Sequence, residues 1–404
     1  MEVNRLPIEK IPLQSLNTIA RGNREYNWPM RSRDNRLEPV CMPRFDPSFQ
    51  FKKNDKIFTI GSCFASNIRN GLIDEGFDVF PVDIIEQVDP KYRVNNLAFR
   101  YSPHTILQTF QWALEPNTLP SRNDCFIETK NGHFFDPTID HKTDGPLCEI
   151  ENIARLVTKN DRAVSESEII VITLGIAECV YDRANDLYLE TWPGKYINKE
   201  QHAQYEVHVL SAEDIFQSLE SVHSLLSRYL PDNFRILLTV SPVPLQVTLR
   251  DCDVITANSY SKSSLRAASE QFALIHENVD YLPVYEGVIL SDRVNSWDVD
   301  LRHPSQFIVK LNTMRMLKEY YPASNINEKM IEELIKNKKQ HFEETWPQQM
   351  RAYKNTQSFL DNRFVEYKNK ADQLQVAMEA EIDKLRSENE RLQKINEKVI
   401  KNIV

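Results

Sequence analysis

The feature that most constrains the fold is an alternation of short β-branched apolar runs with longer amphipathic segments. The runs with the length of buried strands are residues 56–60, 78–82, 168–175, 234–240 and 279–285. Segments with helical periodicity follow or separate them, and these cover residues 62–77, 105–115, 211–229, 256–277 and 304–319. Strands that alternate with helices predict a parallel sheet with helices on both faces. We therefore predict an α/β fold, a three-layer sandwich of about five parallel strands.

Composition excludes several classes of partner. The net charge of −9 over 404 residues argues against nucleic acid or anionic lipid as the main partner. No apolar run reaches the ~20 residues of a membrane span, and the N-terminus lacks the apolar core of a secretion signal. We therefore expect a cytoplasmic protein without a membrane span. The six cysteines show no zinc spacing, so we expect reduced thiols and no metal site.

The chain outside the α/β pattern divides by composition. Residues 1–55 are rich in Pro, Arg and Asn, and we interpret them as an extended arm that precedes an α/β domain over 56–324. Helix-forming residues dominate 325–365, which predicts a helical extension. Residues 366–404 carry a heptad pattern, with Met378, Leu385, Leu392 and Val399 at d positions and Ile382, Asn389, Asn396 and Ile403 at a positions. Asparagine at a with leucine-type residues at d favours a two-stranded parallel coiled coil, so we expect a homodimer. The alternative is a single helix packed on its own domain.

Two candidate nucleophiles stand at the end of the first strand. Ser62 and Cys63 follow Gly61 and open a helix. The unpaired N–H groups and the dipole at a helix N-terminus can stabilise an oxyanion. Ser62 would need a base, and its alternative role is that of a helix N-cap. Cys63 would be activated as a thiolate at the helix start, but it points about 100° away from Ser62 along the helix.

A base candidate lies in the distant segment 297–305. His303 precedes Pro304, and Asp300 stands three residues before His303. In a loop, that spacing lets the carboxylate bend back and orient the imidazole. Asp298 is a competing orienting residue. The alternative for the whole segment is a solvated loop that caps the next helix.

Ordered sequence blocks connect these residues to a known family. The blocks are GSCFA at 61–65, TLGIAECVYD at 173–182, LTVSPVPL at 238–245, ANSYSKSSLRAA at 257–268, VDYLPVYE at 279–286 and DLRHPS at 300–305. Over about residues 40–320 the chain resembles the GSCFA family, which is grouped with the SGNH/GDSL hydrolase-like proteins. The resemblance implies a flavodoxin-like sheet and a serine-centred site. Carried over residue by residue, it makes Ser62 the nucleophile, His303 the base and Asp300 the residue that orients His303.

The oxyanion-binding residues depart from the wider SGNH pattern. The asparagine that those enzymes usually offer is missing, and Thr173, Gly175 and Glu178 occupy that strand end. Glu178 would repel an oxyanion unless it is protonated or turned away. Ser241 and Tyr285 also follow or end strands. The full set of predicted oxyanion- and substrate-binding residues is Cys63, Thr173, Gly175, Glu178, Ser241 and Tyr285.

Two further groups are weaker candidates. His133, Asp136, Asp140 and His141 could line a pocket or bind a cation, although a polar surface loop is the preferred interpretation. Trp192 and Trp297 could stack on a sugar ring or belong to the core.

The sequence thus predicts a serine esterase that acts on an acyl ester through Ser62, His303 and Asp300. The resemblance suggests the O-acetyl groups of a carbohydrate as substrate, without a cofactor. The first alternative is an O-acyltransferase that modifies a glycan precursor, with acetyl-CoA as donor. The second is a non-catalytic dimeric module that binds a glycan or a protein partner.

Overall fold

The protein is described here by a computed structural model. It describes residues 9–15, scattered positions between 18 and 30, 35–82, 87–89, 91, 99–129, 131–139, 144–194, 196–338 and single helical positions between 363 and 388. The chain divides into two compact units, residues 1–334 and 335–404. No helix within the described ranges is long and apolar enough to cross a membrane.

The following ten strands and eight α-helices lie among the described residues of the first unit, and residues 328–334 are helical as well. The strands are β1 (Lys56–Gly61), β2 (Asp78–Phe80), β3 (Ile127–Glu128), β4 (Phe134–Phe135), β5 (Ile169–Leu174), β6 (Glu178–Asp182), β7 (Leu187–Leu189), β8 (Tyr205–Val209), β9 (Arg235–Val240) and β10 (Val279–Tyr281). The helices are α1 (Cys63–Asp74), α2 (Pro103–Leu114), α3 (Leu147–Asp161), α4 (Ala212–Tyr229), α5 (Val254–Ile275), α6 (Val284–Ile289), α7 (Arg293–Ser296) and α8 (Gln306–Tyr320).

The main sheet has five parallel strands in the order β2–β1–β5–β9–β10. This finding confirms the predicted α/β sandwich. The order is that of flavodoxin-like sheets, in which the direction of the crossovers reverses between the first and third strands. Ligands of such sheets bind at the carboxyl ends of the strands beside that reversal. In this chain the reversal lies between β1 and β5.

The strands are buried on both faces, as expected for a parallel sheet covered by helices. Alternate residues such as Phe58, Ile172 and Leu238 belong to a large core cluster with residues of α2, α4 and α5. Helices α1 and α8 contact each other, and a Cβ on Gly71 would lie 2.1 Å from Thr313 Cγ2. The glycine therefore allows these two helices to approach closely.

Three elements differ from the sequence-based expectation. The segment 116–150, for which the sequence predicted no strand or helix, contains the β3–β4 hairpin and the start of α3. A second, antiparallel sheet of order β7–β6–β8 follows β5 and was not predicted. The last strand ends at Tyr281 rather than at residue 285, because Pro283 stands at the N-cap of α6.

Residues 40–51 pack along the later helices of the same unit. Cys41 N–H donates to Ser291 Oγ at 2.6 Å, and Phe51 N–H donates to the Tyr320 carbonyl at 2.6 Å. The rings of Phe51 and Tyr320 lie 5.6 Å apart. These contacts hold residues 40–51 against the end of α8 and the segment after α6.

In the second unit, the described positions between 363 and 388 are helical. Met378, Ile382 and Leu385 are exposed there, with 64%, 44% and 57% of their surface accessible. They are the predicted d, a and d residues of the heptad pattern. Leu392, Val399, Asn389, Asn396 and Ile403 lie outside the described residues, so the coiled coil stays a prediction.

Candidate functional site

Gly61 brings the end of β1 against the end of β5. Its φ is +134°, and a Cβ there would lie 2.1 Å from the Thr173 carbonyl oxygen. Only glycine tolerates both the backbone conformation and this approach. Ser62 N–H then donates to the same carbonyl at 3.1 Å. The chain is thereby turned into α1 at the point where the crossovers reverse.

Ser62 is the N-cap of α1. Its Oγ accepts a hydrogen bond from Phe64 N–H at 3.3 Å, and the residue is only 2% exposed. The backbone is extended, with φ −68° and ψ 177°, as is usual for an N-cap. Cys63 is the first residue of α1 and is partly exposed.

A cavity of about 370 Å³ opens at this edge of the sheet. It contains residues from the ends of several strands and from the loop before α8. Its lining is Ser62, Cys63, Phe99, Tyr101, Gly175, Ile176, Glu190, Ser241, Val243, Pro244, Leu245, Gln246, Val247, Arg302 and His303. Both candidate nucleophiles and the candidate base therefore line one cavity, although about 240 residues separate them in the sequence. They meet because the loops at the carboxyl ends of parallel strands lie at the same edge of the sheet.

The segment from Phe99 to Tyr101 forms one wall. Arg100 N–H donates to the Gly61 carbonyl at 2.8 Å, and the Tyr101 carbonyl accepts from Gly175 N–H at 2.8 Å and Ile176 N–H at 3.0 Å. The Glu190 carboxylate accepts from Tyr101 N–H at 3.1 Å. Because the N–H group of Gly175 is engaged in this wall, it is not available to an oxyanion without rearrangement.

His303 and Asp300 form the predicted pair. Nδ1 of His303 lies 2.5 Å from Oδ2 of Asp300, and Oδ1 of Asp300 accepts from the N–H groups of Arg302 and His303, each at 2.9 Å. These hydrogen bonds hold the pKa of the Asp300 carboxyl well below its usual range. Leu301 has φ +57°, and this left-handed turn bends the loop back on the carboxylate.

Asp298 does not share the role of Asp300. Its N–H donates to the His303 carbonyl at 2.8 Å, and its Oδ1 accepts from Val299 N–H at 2.9 Å. The other ring nitrogen of His303, Nε2, lies 3.3 Å from Nη1 of Arg302. Ser62 and His303 make no hydrogen bond to each other in this part of the described chain.

Lys262 lies behind the cavity wall and was not singled out by the sequence. It belongs to α5, is 1% exposed, and its Nζ donates to the Gly175 carbonyl at 2.7 Å. Burial lowers the pKa of its ammonium group to about 7, the negative charge of a Cys63 thiolate raises it, and the charge of Arg302 lowers it. The sequence signal that could have indicated its burial is the position of Lys262 next to Ser261 and one helical turn before Leu265, both of which are buried.

Three of the other predicted residues lie away from the cavity. Glu178 is buried and turned aside, where it accepts from Thr248 Oγ1 at 2.8 Å and Leu249 N–H at 2.9 Å. Thr173 is buried in β5 and contacts the backbone of Gly61. Tyr285 is on α6 and packs against the core, because the strand that was expected to carry it ends earlier. Ser241 lines the cavity, and its Oγ accepts from Val243 N–H at 3.3 Å.

The weaker candidates lie outside the lining of this cavity. His133 pairs with Asp144 at 3.1 Å, and Asp136 accepts from Thr138 N–H at 2.8 Å. Asp140 and His141 fall outside the described residues. Trp192 packs edge-on against His202 and Tyr205, and Trp297 lies beneath Arg293. The described residues contain no group of three or more His, Cys, Asp or Glu side chains placed to hold a metal ion.

Fold and site together define a doubly wound α/β protein with a cleft of mixed polar and apolar lining at the carboxyl ends of β1 and β5. The chain belongs to the GSCFA family, whose model matches residues 56–316. The match includes the whole main sheet and every residue of the cavity lining. No curated protein and no solved structure matches the chain.

Proposed function

We propose that the protein hydrolyses or transfers an acyl ester, with the nucleophile at the β1–α1 junction and His303 as the general base. The observation that carries the proposal is the pairing of His303 with Asp300 at the rim of a cavity that also holds Ser62 and Cys63. Acyl transfer needs this combination of a nucleophile, a base and a residue that orients the base.

The hydrogen bond to Asp300 assigns roles to the two nitrogens of His303. An ionised carboxylate accepts from Nδ1–H, which leaves the lone pair of Nε2 to remove a proton from the nucleophile. The same carboxylate stabilises the imidazolium that forms. Its three hydrogen bonds keep Asp300 ionised, so His303 retains this orientation over a wide pH range.

Arg302 sets the resting state of the base. Its Nη1 lies 3.3 Å from Nε2 of His303, so the guanidinium must turn aside before Nε2 accepts a proton. A substrate with an anionic or strongly polar group would draw Arg302 away and expose Nε2. The cavity of about 370 Å³ accommodates a short acyl group and part of the attached alcohol.

The substrate class rests on the family resemblance. We propose an O-acetylated carbohydrate, with water as the acyl acceptor in an esterase or a sugar hydroxyl as acceptor in an O-acyltransferase supplied by acetyl-CoA. The acyl-enzyme stage is common to both. A cytoplasmic location and a homodimer held by residues 366–404 belong to this proposal, and the exposure of Met378, Ile382 and Leu385 supports the dimer.

The second candidate is a binding module without turnover. The observation that favours it is the engagement of both reactive atoms in the resting structure: Ser62 Oγ with Phe64 N–H, and His303 Nε2 with Arg302. In that case the cavity would hold a glycan or a partner without cleaving it.

Esterase activity towards p-nitrophenyl acetate separates the two candidates. We expect His303→Ala to lower kcat/KM by about 10²–10⁴-fold, the usual contribution of a general base, and Asp300→Asn to lower it in the same range. His133→Ala is the matched control, because it removes a similar His–Asp pair that lies outside the cavity. Equal activity of His303→Ala and His133→Ala would refute the enzyme proposal.

A further inference from the structure

We infer that Cys63 is the nucleophile of this site and that the buried ammonium group of Lys262 favours its thiolate form. The inference rests on the proposed acyl-transfer function and names the atom that carries the acyl group. It departs from the sequence-based expectation, which preferred Ser62.

The hydroxyl group of Ser62 is engaged as the N-cap of α1. Its Oγ accepts from Phe64 N–H, and its side chain is almost fully covered. Gly175 provides part of that cover, since a Cβ at this position would lie 3.2 Å from Ser62 Cβ. A hydroxyl in this position has the ordinary structural role of capping a helix. Attack by Ser62 would require the cap to break first.

Cys63 is placed to meet a substrate. As the next residue of the helix it points about 100° away from Ser62. It is only partly buried and lines the cavity together with Arg302 and His303. A sulfur in the first turn of a helix also lies in the positive field of the helix dipole, which favours a thiolate.

Lys262 supplies the positive charge that stabilises a Cys63 thiolate. A fully buried ammonium group requires a compensating charge or several hydrogen bonds. Nζ of Lys262 donates to the Gly175 carbonyl, and the charge that favours its protonated form is that of Cys63. Because an electrostatic interaction acts equally on both partners, the ammonium group favours the Cys63 thiolate to the same extent.

The other charged groups that face Cys63 come from separate elements. Arg302 and His303 lie on the loop before α8, with Asp300 behind the imidazole, and Glu190 follows β7. The Arg302 guanidinium favours the thiolate, while the Glu190 carboxylate opposes it but is held by Tyr101 N–H. We therefore expect alkylation of Cys63 to be half-maximal below pH ~8.5, the usual value for cysteine.

The reaction then runs in two balanced steps. Cys63 transfers its proton to Nε2 of His303, and the thiolate attacks the ester carbonyl carbon, forming a C–S bond. The tetrahedral intermediate collapses, the C–O bond breaks, and the imidazolium protonates the departing alcohol. Water or an acceptor hydroxyl then gives its proton to His303 and attacks the thioester. Its collapse breaks the C–S bond and releases the acid or new ester and the thiolate, and the imidazolium returns its proton to Cys63.

The thiolate is tested by the pH dependence of iodoacetamide alkylation, followed by peptide mapping of the full chain. The exposed Cys148 and Cys252 are internal references, and burial raises the pKa of Cys125 and Cys179 to about 12, which protects them. We expect Cys63 to react at least tenfold faster than Cys148 at pH 7. Lys262→Met should slow the alkylation of Cys63 about tenfold at pH 6, where Lys262 holds its proton, and this difference should disappear as the pH rises above 7. The exposed Lys310→Met should leave the alkylation rate unchanged at every pH.

Cys63 reacting no faster than Cys148, or a Lys262→Met profile that matches wild type, would overturn the thiolate assignment. Turnover of p-nitrophenyl acetate tests the nucleophile separately. We expect Cys63→Ala to lose at least 100-fold in kcat/KM and Ser62→Ala to stay within tenfold of wild type. The reverse pattern overturns the inference but keeps the proposed function. Turnover that is independent of both residues and of His303 refutes the proposed function, while alkylation still decides on the thiolate.

Discussion

Replacing Lys262 with Met tests whether a charged side chain is buried beneath the site. The substitution keeps the length of the side chain and removes the ammonium group. Burial lowers the pKa of this group from 10.5 to about 7. At about 1.4 kcal/mol per unit, holding the charge in the folded state costs about 5 kcal/mol.

The sign of the effect follows from the lowered pKa. Below pH 7 the group is charged in both states, and the folded protein bears the whole cost. Between pH 7 and 10.5 the unfolded chain holds the proton and the folded chain does not, so wild-type stability rises with pH. The variant has no such pH-dependent contribution to its stability. It does leave the Gly175 carbonyl without its Lys262 donor, which lowers the free energy of unfolding by about 1–3 kcal/mol at any pH.

We therefore expect Lys262→Met to be more stable than wild type by about 2–4 kcal/mol at pH 6, with the difference falling and changing sign as pH rises. Urea unfolding followed by tryptophan fluorescence at pH 6 to 9.5 gives the free energy of unfolding at each pH. Lys310→Met, at an exposed position of α8, is the control and should show no such trend. A constant difference across the pH range, or a less stable variant at pH 6, would refute the buried charge.

Two further predictions concern the β1 turn and the C-terminal segment. Gly61→Ala should unfold the protein or lower its melting temperature sharply, because the new Cβ would lie 2.1 Å from the Thr173 carbonyl oxygen. Gly22→Ala is the control for thermal unfolding, because a Cβ at position 22 would have no atom within 4 Å. Light scattering should find a dimer for the full chain and a monomer for a truncation before Glu366, and a monomer in both cases would exclude the coiled coil.

The sequence was sufficient for the main sheet because its central strands are runs of mostly apolar residues. Residues 169–174 and 236–240 are buried on both faces, which leaves a clear signal. Helix α3 was missed although Ile150, Ile153 and Val157 have helical spacing, because its start lies within a stretch rich in loop-forming residues. The strands β6–β8 are short and alternate weakly, since most of β8 is exposed.

The site was only partly accessible to sequence reasoning for a different reason. His303 and Asp300 are three residues apart, so their pairing is local and could be predicted. The burial of Lys262 depends on the Gly175 carbonyl, 87 residues away, and no local pattern indicates it. Likewise, the choice between Ser62 and Cys63 depends on which side chain the helix turn covers, and this follows from the packing of Gly175 against Ser62.

The most direct test of acyl transfer through Cys63 is to locate the acyl group on the protein. The full chain is mixed with p-nitrophenyl acetate, quenched in acid within one turnover, and mapped by fragmentation mass spectrometry with and without neutral hydroxylamine. We predict one acetyl group on Cys63 that is absent in Cys63→Ala. Neutral hydroxylamine should remove this group, because it is attached as a thioester. A hydroxylamine-resistant acetyl group on Ser62, or acetylation that is scattered over surface lysines and unaffected by His303→Ala, would contradict the account.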